Sequence, residues 1–481
     1  MYAAAGFKRD APLGYSAGLR KRRTQPEVTA SEEPQTAAAR PSSGEPIEPR
    51  VRPADDIPLS SLDQDALRVI SRLQRQGFQA YLVGGCVRDL LLGRRPKDFD
   101  VATSAHPRQV KRSFANGRII GKRFKLVHVA YGDHVIETAT FRRAPPPREE
   151  EPDDLLITDD NEFGNAEEDA LRRDFTINAL FLDPTRREIL DYVGGLDDLD
   201  AGVLRTIGDP RVRMAEDPVR ILRAIKFATR LGLRIDDATW AAMIETADEL
   251  GRSAKPRVLE EILRLMRSGV ALGAFRMMRA CGALRVLLPQ IDAHLGQRDD
   301  PDPAAHDRAD EFWRLLEALD GDVHAGNNPA TGVCIAVLFL RLIERAGGVD
   351  PRNHEQAGPE LARAATELLE PFALSVRLSR RDTGKAIRAI LQQRRFTQPL
   401  SKRFRPLLFA RGEDFRESLD LFRLRSMAWG QGWDVYESWV QRYQEAQGAS
   451  PDDVERERKR KRRRGRRRGK RGESAEPSAE A

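Results

Sequence analysis

The sequence predicts an α/β domain that passes near residue 208 into a long all-α region. Between about residues 57 and 207, strand-like runs ending at glycines alternate with short helices, whereas from Asp217 onward only helical periodicity remains. The length of 481 residues is enough for about three domains.

Residues 1–54, rich in Ala, Pro, Ser, Glu and Arg without periodicity, read as a disordered leader. Leu62, Leu67, Ile70 and Leu73 then suit one face of a helix, and Phe78 to Val83 suits a strand that stops at Gly84-Gly85. A helix over Val87 to Leu92, a strand over Asp98 to Ala102, a helix over His106 to Phe114 and two or three strands between Arg118 and Phe141 follow. Residues 144–169, with three consecutive prolines and a run of Asp and Glu, read as a solvated loop. Helices are expected over Pro218 to Leu231, Ala238 to Leu250, Lys255 to Ser268 and Ala271 to Ala280, with connections at 293–309 and 345–359.

The net charge of +7 is unevenly divided. Glu455 to Arg471 holds 13 Lys or Arg against two Glu, and three more Glu follow; residues 1–54 hold nine basic and six acidic side chains, which leaves residues 55–454 at −4. The basic end has no aromatic residue among its charges, so it can neutralise phosphates but cannot stack bases. Val333 to Leu340, the longest apolar run, is far short of the roughly 20 residues that span a membrane. Three scattered cysteines, Cys86, Cys281 and Cys334, offer no disulfide framework, and with no signal-peptide pattern the expected location is cytoplasmic.

The chemistry concentrates in Tyr81-Leu-Val-Gly-Gly-Cys-Val-Arg-Asp89 and Lys97-Asp-Phe-Asp100. Two carboxylates at i and i+2 on a strand share a face, about 6 to 7 Å apart, and hard oxygen donors of that kind select Mg²⁺ or Mn²⁺ for phosphoryl transfer. Gly84 and Gly85 let a triphosphate approach the backbone, and Arg88 with the following helix start supplies positive potential. Further on, Asp217 and Pro218 suit a helix start, and Arg220, Arg223 and Lys226 leave a basic stripe along that helix.

These blocks, together with GKRFKLVHV (121–129), ETATFR (137–142), RRDFTINAL (172–180), DYVGGLDDL (191–199) and EDPVRILRAIKFA (216–228), resemble the class II nucleotidyltransferase superfamily, which holds bacterial poly(A) polymerases and tRNA CCA-adding enzymes. The resemblance implies a polymerase-beta-like head with a mixed sheet over 55–207, a helical neck over 208–285, a helical body and C-terminal RNA-binding domain over 286–450, and a disordered basic tail over 451–481. It implies Mg²⁺ (or Mn²⁺) on Asp98 and Asp100, ATP as substrate and RNA 3′ ends as acceptors. Asp174 joins the active site by resemblance, although its position also suits a helix cap, and Glu137 is a candidate third carboxylate. Base selection falls to Asp217 and Arg220, with Arg223 and Lys226 nearer the phosphates or ribose and Arg173 facing the nucleotide. Lys226 stands where relatives commonly have Arg.

The Gly-basic-basic-Phe run before Val127 and the helical stretches 378–391 and 410–430 are similar to poly(A) polymerases. The expected activity is therefore template-independent polynucleotide adenylyl transfer with release of pyrophosphate. The alternatives are CCA addition or single-nucleotide tRNA repair, and a non-catalytic RNA-binding module. The basic tail is expected on RNA phosphates, and the local group Trp429, Trp433, Tyr436 and Trp439 suits core packing before base stacking.

Overall fold

The computed structural model describes residues 47–121, 126–143, 162–297, 303–348, 358–398, 404–450 and 452. Most of the expected leader, Lys122 to Lys125 of the Gly-basic-basic-Phe run, most of the acidic loop and nearly all of the basic tail lie outside these residues.

The head consists of β1 (Arg50–Pro53), α1 (Gln64–Arg75), β2 (Ala80–Val83), α2 (Gly85–Leu91), β3 (Asp100–Thr103), α3 (Pro107–Ser113), β4 (Gly117–Ile120), β5 (Leu126–Tyr131), β6 (His134–Thr140), α4 (Ala166–Leu171), β7 (Leu180–Asp183), β8 (Glu188–Asp191) and α5 (Gly195–Asp200). Eight strands form one mixed sheet in the order β1-β8-β7-β2-β3-β6-β5-β4. Within it β3 and β6 run parallel, with Val101 opposite Thr138. α1 buries Ala66, Val69, Ile70 and Leu73, the i, i+3, i+4, i+7 stripe of an amphipathic helix. Asp63 caps it by accepting from Asp65 N and Ala66 N, both at 2.9 Å.

Two expectations are corrected here. The leader does not extend to residue 54: Arg50–Pro53 pairs antiparallel with β8, and Ala54 is buried. A four-residue edge strand of sequence RVRP carries no alternation of its own, and its partner comes from 140 residues away. The acidic loop also ends early, because Asn165 and Glu168 form a reciprocal capping box, each side chain accepting from the other's backbone N–H (2.8 and 2.9 Å), and α4 starts at Ala166.

The helical half follows as α6 (Pro210–Glu216), α7 (Val219–Leu231), α8 (Asp237–Glu245), α9 (Lys255–Met266), α10 (Ala271–Ala280), α11 (Ala283–Leu287), α12 (Pro289–Leu295), α13 (Pro303–His324), α14 (Thr331–Ala346), α15 (Pro359–Val376), α16 (Arg380–Thr397), α17 (Pro406–Ala410), α18 (Phe415–Trp429) and α19 (Trp433–Gly448). The connection expected to reach residue 309 is shorter, because α13 begins at Pro303. The apolar run Val333 to Leu340 lies in α14, where every residue from Gly332 to Glu344 is buried; a helix apolar around its circumference must be enclosed by its neighbours. Among the described residues no helix is long and apolar enough to cross a membrane. One core runs from the sheet through α7 and α14. A separate aromatic core at the C-terminal end holds Phe396, Phe409, Phe415, Phe422 and Trp439, and Trp439 Nε1 donates to Phe396 O at 3.0 Å.

Candidate active site

The site forms where the end of β2, the start of β3 and the α6–α7 junction meet. β2 and β3 are antiparallel with Val83 opposite Asp100, so the chain leaves β2 into Gly84-Gly85 beside that carboxylate. Gly84 has φ +76°, and a Cβ there would stand 3.1 Å from an Arg173 guanidinium nitrogen, so both backbone and space favour glycine. A cleft of about 430 Å³ is lined by these glycines, Asp100, Arg173, Asp174, Asp217 and Arg220, among others.

Three carboxylates group at the start of β3. Asp100 opens the strand and Asp98 lies in the segment before it, not on the strand as expected. Parallel pairing of β3 with β6 brings Glu137 level with Asp100 on the neighbouring strand. Desolvation, then the negative charge of Glu137, pushes the Asp100 carboxyl up to about 6; Arg173 opposes this and Asp98 adds to it. Neither Asp98 nor Asp100 forms an ion pair among the described residues, while Glu137 has His128 across the strand pair at 3.5 Å. Two carboxylates without ion pairs, with a third on the neighbouring strand, are hard oxygen donors of the kind that suit a divalent cation. A different acidic group, Asp63, Asp65 and His134, is committed elsewhere: Asp63 caps α1, and Asp65 accepts from Arg68 at 2.7 Å.

Asp174 lines the cleft with Asp100, and it does not cap the short helix Thr176–Asn178 with its side chain, against the alternative of a helix cap. It accepts from Arg223 Nε at 2.8 Å and Nη2 at 2.5 Å, from Asn178 Nδ2 at 3.1 Å and from Phe175 N at 2.9 Å. Burial works to raise its pKa, but Arg223 and the other donors hold it below the ordinary aspartate value. Arg88, expected to present positive potential, is buried. Its guanidinium donates to Asp89 at 2.7 Å and to Asn178 Oδ1 at 2.5 Å, and it lies 5.1 Å over the Phe227 ring. Arg173 donates to Asp169 at 2.8 Å and to Asn178 O at 3.1 Å.

The basic stripe on α7 is neutralised along its length. Arg220 reaches Glu216 at 3.1 Å and the carbonyl of Arg213, Arg223 reaches Asp174, and Lys226 reaches Glu261 of α9 at 2.7 Å. Lys226 does not line the cleft. Asp217 caps neither helix with its side chain; it links α6 to α7 and is gripped by Arg257 of α9 through two bonds of 2.9 and 2.6 Å.

Sequence reasoning missed Arg257 and the hub role of Asn178. Asn178 stands inside a recognised block, where an amide offers one donor and one acceptor to bridge an Asp and an Arg. Arg257 gave no signal, since its partner lies 40 residues earlier.

Three family models match the chain in order: the poly A polymerase head domain over residues 80–205, a probable RNA- and SrmB-binding site of polymerase A over 232–295, and the arginine-rich C-terminus of polymerase A over 353–473. The poly(A) polymerase I of Haemophilus influenzae is 33% identical over 420 residues, 84% of this chain and 89% of that one. A CCA-adding enzyme of Lactobacillus delbrueckii subsp. bulgaricus is 34% identical over 270 residues, 55% of this chain and 66% of that one. Among solved structures, the CCA-adding enzyme of Bacillus stearothermophilus in complex with CTP aligns with a TM-score of 0.59 and 25% identity, covering 79% of this chain and 82% of that chain. With 33% identity to a poly(A) polymerase I over 84% of its length and the three family models matched in order, the chain belongs to the poly(A) polymerase I family of nucleotidyltransferases.

Proposed function

We propose that the cleft transfers AMP from ATP to the 3′ end of RNA without a template, releasing pyrophosphate. The observation that carries this reading is Asp100, without an ion pair among the described residues and close enough to Glu137 and Asp98 to feel their charge, in a cleft lined also by Gly84, Gly85, Asp217 and Arg220.

Asp98 and Asp100 would hold Mg²⁺ or Mn²⁺, with Glu137 as the third carboxylate in preference to Asp174, whose oxygens already serve Arg223. When bound, such ions stabilise charge on the transferring phosphoryl group and favour ionisation of the attacking hydroxyl. The backbone at Gly84 and Gly85 admits the triphosphate, and Arg173, held against Gly84, lends positive charge there. Arg88 and Arg223 act on the nucleotide through position: Arg223 of α7 holds Asp174 of the head, and Arg88 of α2, bonded to Asn178 within the head, lies over Phe227 of α7. Asp217 as acceptor and Arg220 as donor read the Watson-Crick edge of the base. The basic segment after residue 455 holds RNA phosphates, and three buried free cysteines suit a reducing compartment, which we take to be the cytoplasm.

CCA addition is the second reading, favoured by the structural likeness to CCA-adding enzymes. Its similarity in sequence spans 55% of the chain, against 84% for the poly(A) polymerase relative. Supplying ATP or CTP singly, with Mg²⁺, to an unstructured RNA and to a tRNA lacking its 3′ end separates the readings. Long tails from ATP alone on the unstructured RNA are expected. CTP incorporation on the tRNA supports the second reading, and no incorporation with any pair leaves an RNA-binding module.

A further inference from the structure

We propose that a second cavity, in the helical body, binds a nucleoside 5′-phosphate unit between Arg314, Arg345 and Trp429. The cavity, of about 780 Å³, lies between α13, α14 and α18, within the size range of ligand sites.

Its floor is built of fixed charges. Arg341 is 1% exposed; it donates to Glu311 of α13 through Nε at 3.0 Å and Nη2 at 2.7 Å, and through Nη1 to Glu344. Arg425 of α18 reaches the same Glu344 at 3.0 Å. The guanidinium groups of Arg341 and Arg425 lie 5.5 and 5.9 Å from the Trp429 ring centre, which fixes that half-buried indole in the cavity wall. These contacts account for the three helices holding together and for Trp429 being rigid.

Two groups remain unaccounted for. Arg314 lines the cavity with no hydrogen bond or ion pair among the described residues. His294 of α12, beside Arg341 and Arg345, has a buried Nε2 with no partner. Burial first, and then the charges of Arg345, Arg308 and Arg341, push its imidazole down to about 4; His294 does not itself line the cavity, but these guanidinium groups add positive potential beside it. A bound anion relieves that potential. A simple anion leaves the aromatic wall and the acidic side unused, whereas a nucleotide uses all three: phosphate on Arg314 and Arg345, base against Trp429, and base amino hydrogens on Asp307 or Asp310. The unit can come from an acceptor RNA or from a free nucleotide.

The test is binding to the full chain without divalent metal, so that no transfer occurs, read by tryptophan fluorescence with a 20-nucleotide oligo(A) and, separately, with AMP. Trp429→Phe isolates the indole from the other four tryptophans, and Arg314→Ala breaks no contact recorded among the described residues, so it tests the site even where Trp429→Phe lowers stability. The expected result is quenching lost in Trp429→Phe and affinity weakened about fivefold or more in Arg314→Ala. Quenching by oligo(A) at concentrations where AMP gives none assigns the unit to RNA; the reverse assigns it to free nucleotide. Unchanged affinity in Arg314→Ala, or quenching by an acidic peptide and by neither nucleic-acid probe, overturns the proposal. The measurement involves no chemistry, so a protein that binds here but transfers no AMP counts against the polymerase reading alone.

Discussion

In the head, Asp98 and Asp100 stand near Glu137 without an ion-pair partner among the described residues, whereas in the neck Arg220, Arg223 and Lys226 each meet a carboxylate. Both clusters look alike in sequence, as charges at helical or strand spacing. The difference is that like charges held together with no counter-charge raise one another's energy until a ligand neutralises them, while opposite charges in fixed pairs make a frame. The head cluster is therefore assigned to the reaction and most of the neck cluster to geometry.

The sharpest way to break this comparison is to remove one charge from each side. Asp98→Ala or Asp100→Ala should lower AMP incorporation by about 1000-fold or more, measured by single-turnover transfer to RNA. The melting temperature should hold or rise, because a repulsion has been removed. A variant that keeps most of its activity ends the assignment of the head cluster.

Arg223→Ala should behave in the opposite way, costing about 2–3 kcal/mol of stability in urea unfolding because Asp174 is left buried without its cation. The sign with pH follows from the depressed Asp174 pKa. A carboxylate whose folded pKa lies below its unfolded one contributes stability above the unfolded value, and loses it as pH falls through the folded value. The wild type should therefore hold this contribution down to acid pH, and Arg223→Ala should not show it. Adding Asp174→Asn to Arg223→Ala should recover part of the loss, and no recovery would mean the two residues are not coupled.

Deleting residues 455–481 should weaken RNA binding and flatten the slope of log affinity against log salt; a slope equal to that of the full chain removes the tail from the RNA contact. The smallest expected effect is that of Lys226→Ala. It should lower the melting temperature by a few degrees and leave KM for ATP within about twofold, because the ammonium serves Glu261 and not the cleft. A large rise in KM with unchanged stability would return Lys226 to the nucleotide.

The order of elements between residues 62 and 141 and the mainly helical character after Asp217 were legible in the sequence, because each rests on local periodicity; the exception after Asp217 is the two-residue strand Arg234–Ile235, which pairs with Val203–Leu204. So was the grouping of Gly84, Gly85, Asp98 and Asp100, which lie within 17 positions of the chain. What was not legible is pairing across distance. Arg50–Pro53 is a strand only because β8 accepts it. Arg88 gave no sign in the sequence of its hydrogen bond to Asn178, ninety residues later. Asp174 carried no mark of its pairing with Arg223, nor Arg257 of its grip on Asp217.

The central proposal is that Asp98 and Asp100, which form no ion pair among the described residues, hold a divalent cation together with Glu137. Mn²⁺ binding followed by electron paramagnetic resonance, on the full chain with ATP present, tests it most directly when wild type, Asp100→Asn and Lys226→Ala are compared. The expected result is Mn²⁺ bound by the wild type and by Lys226→Ala and lost in Asp100→Asn with its fold intact. Equal Mn²⁺ binding by all three proteins would contradict it.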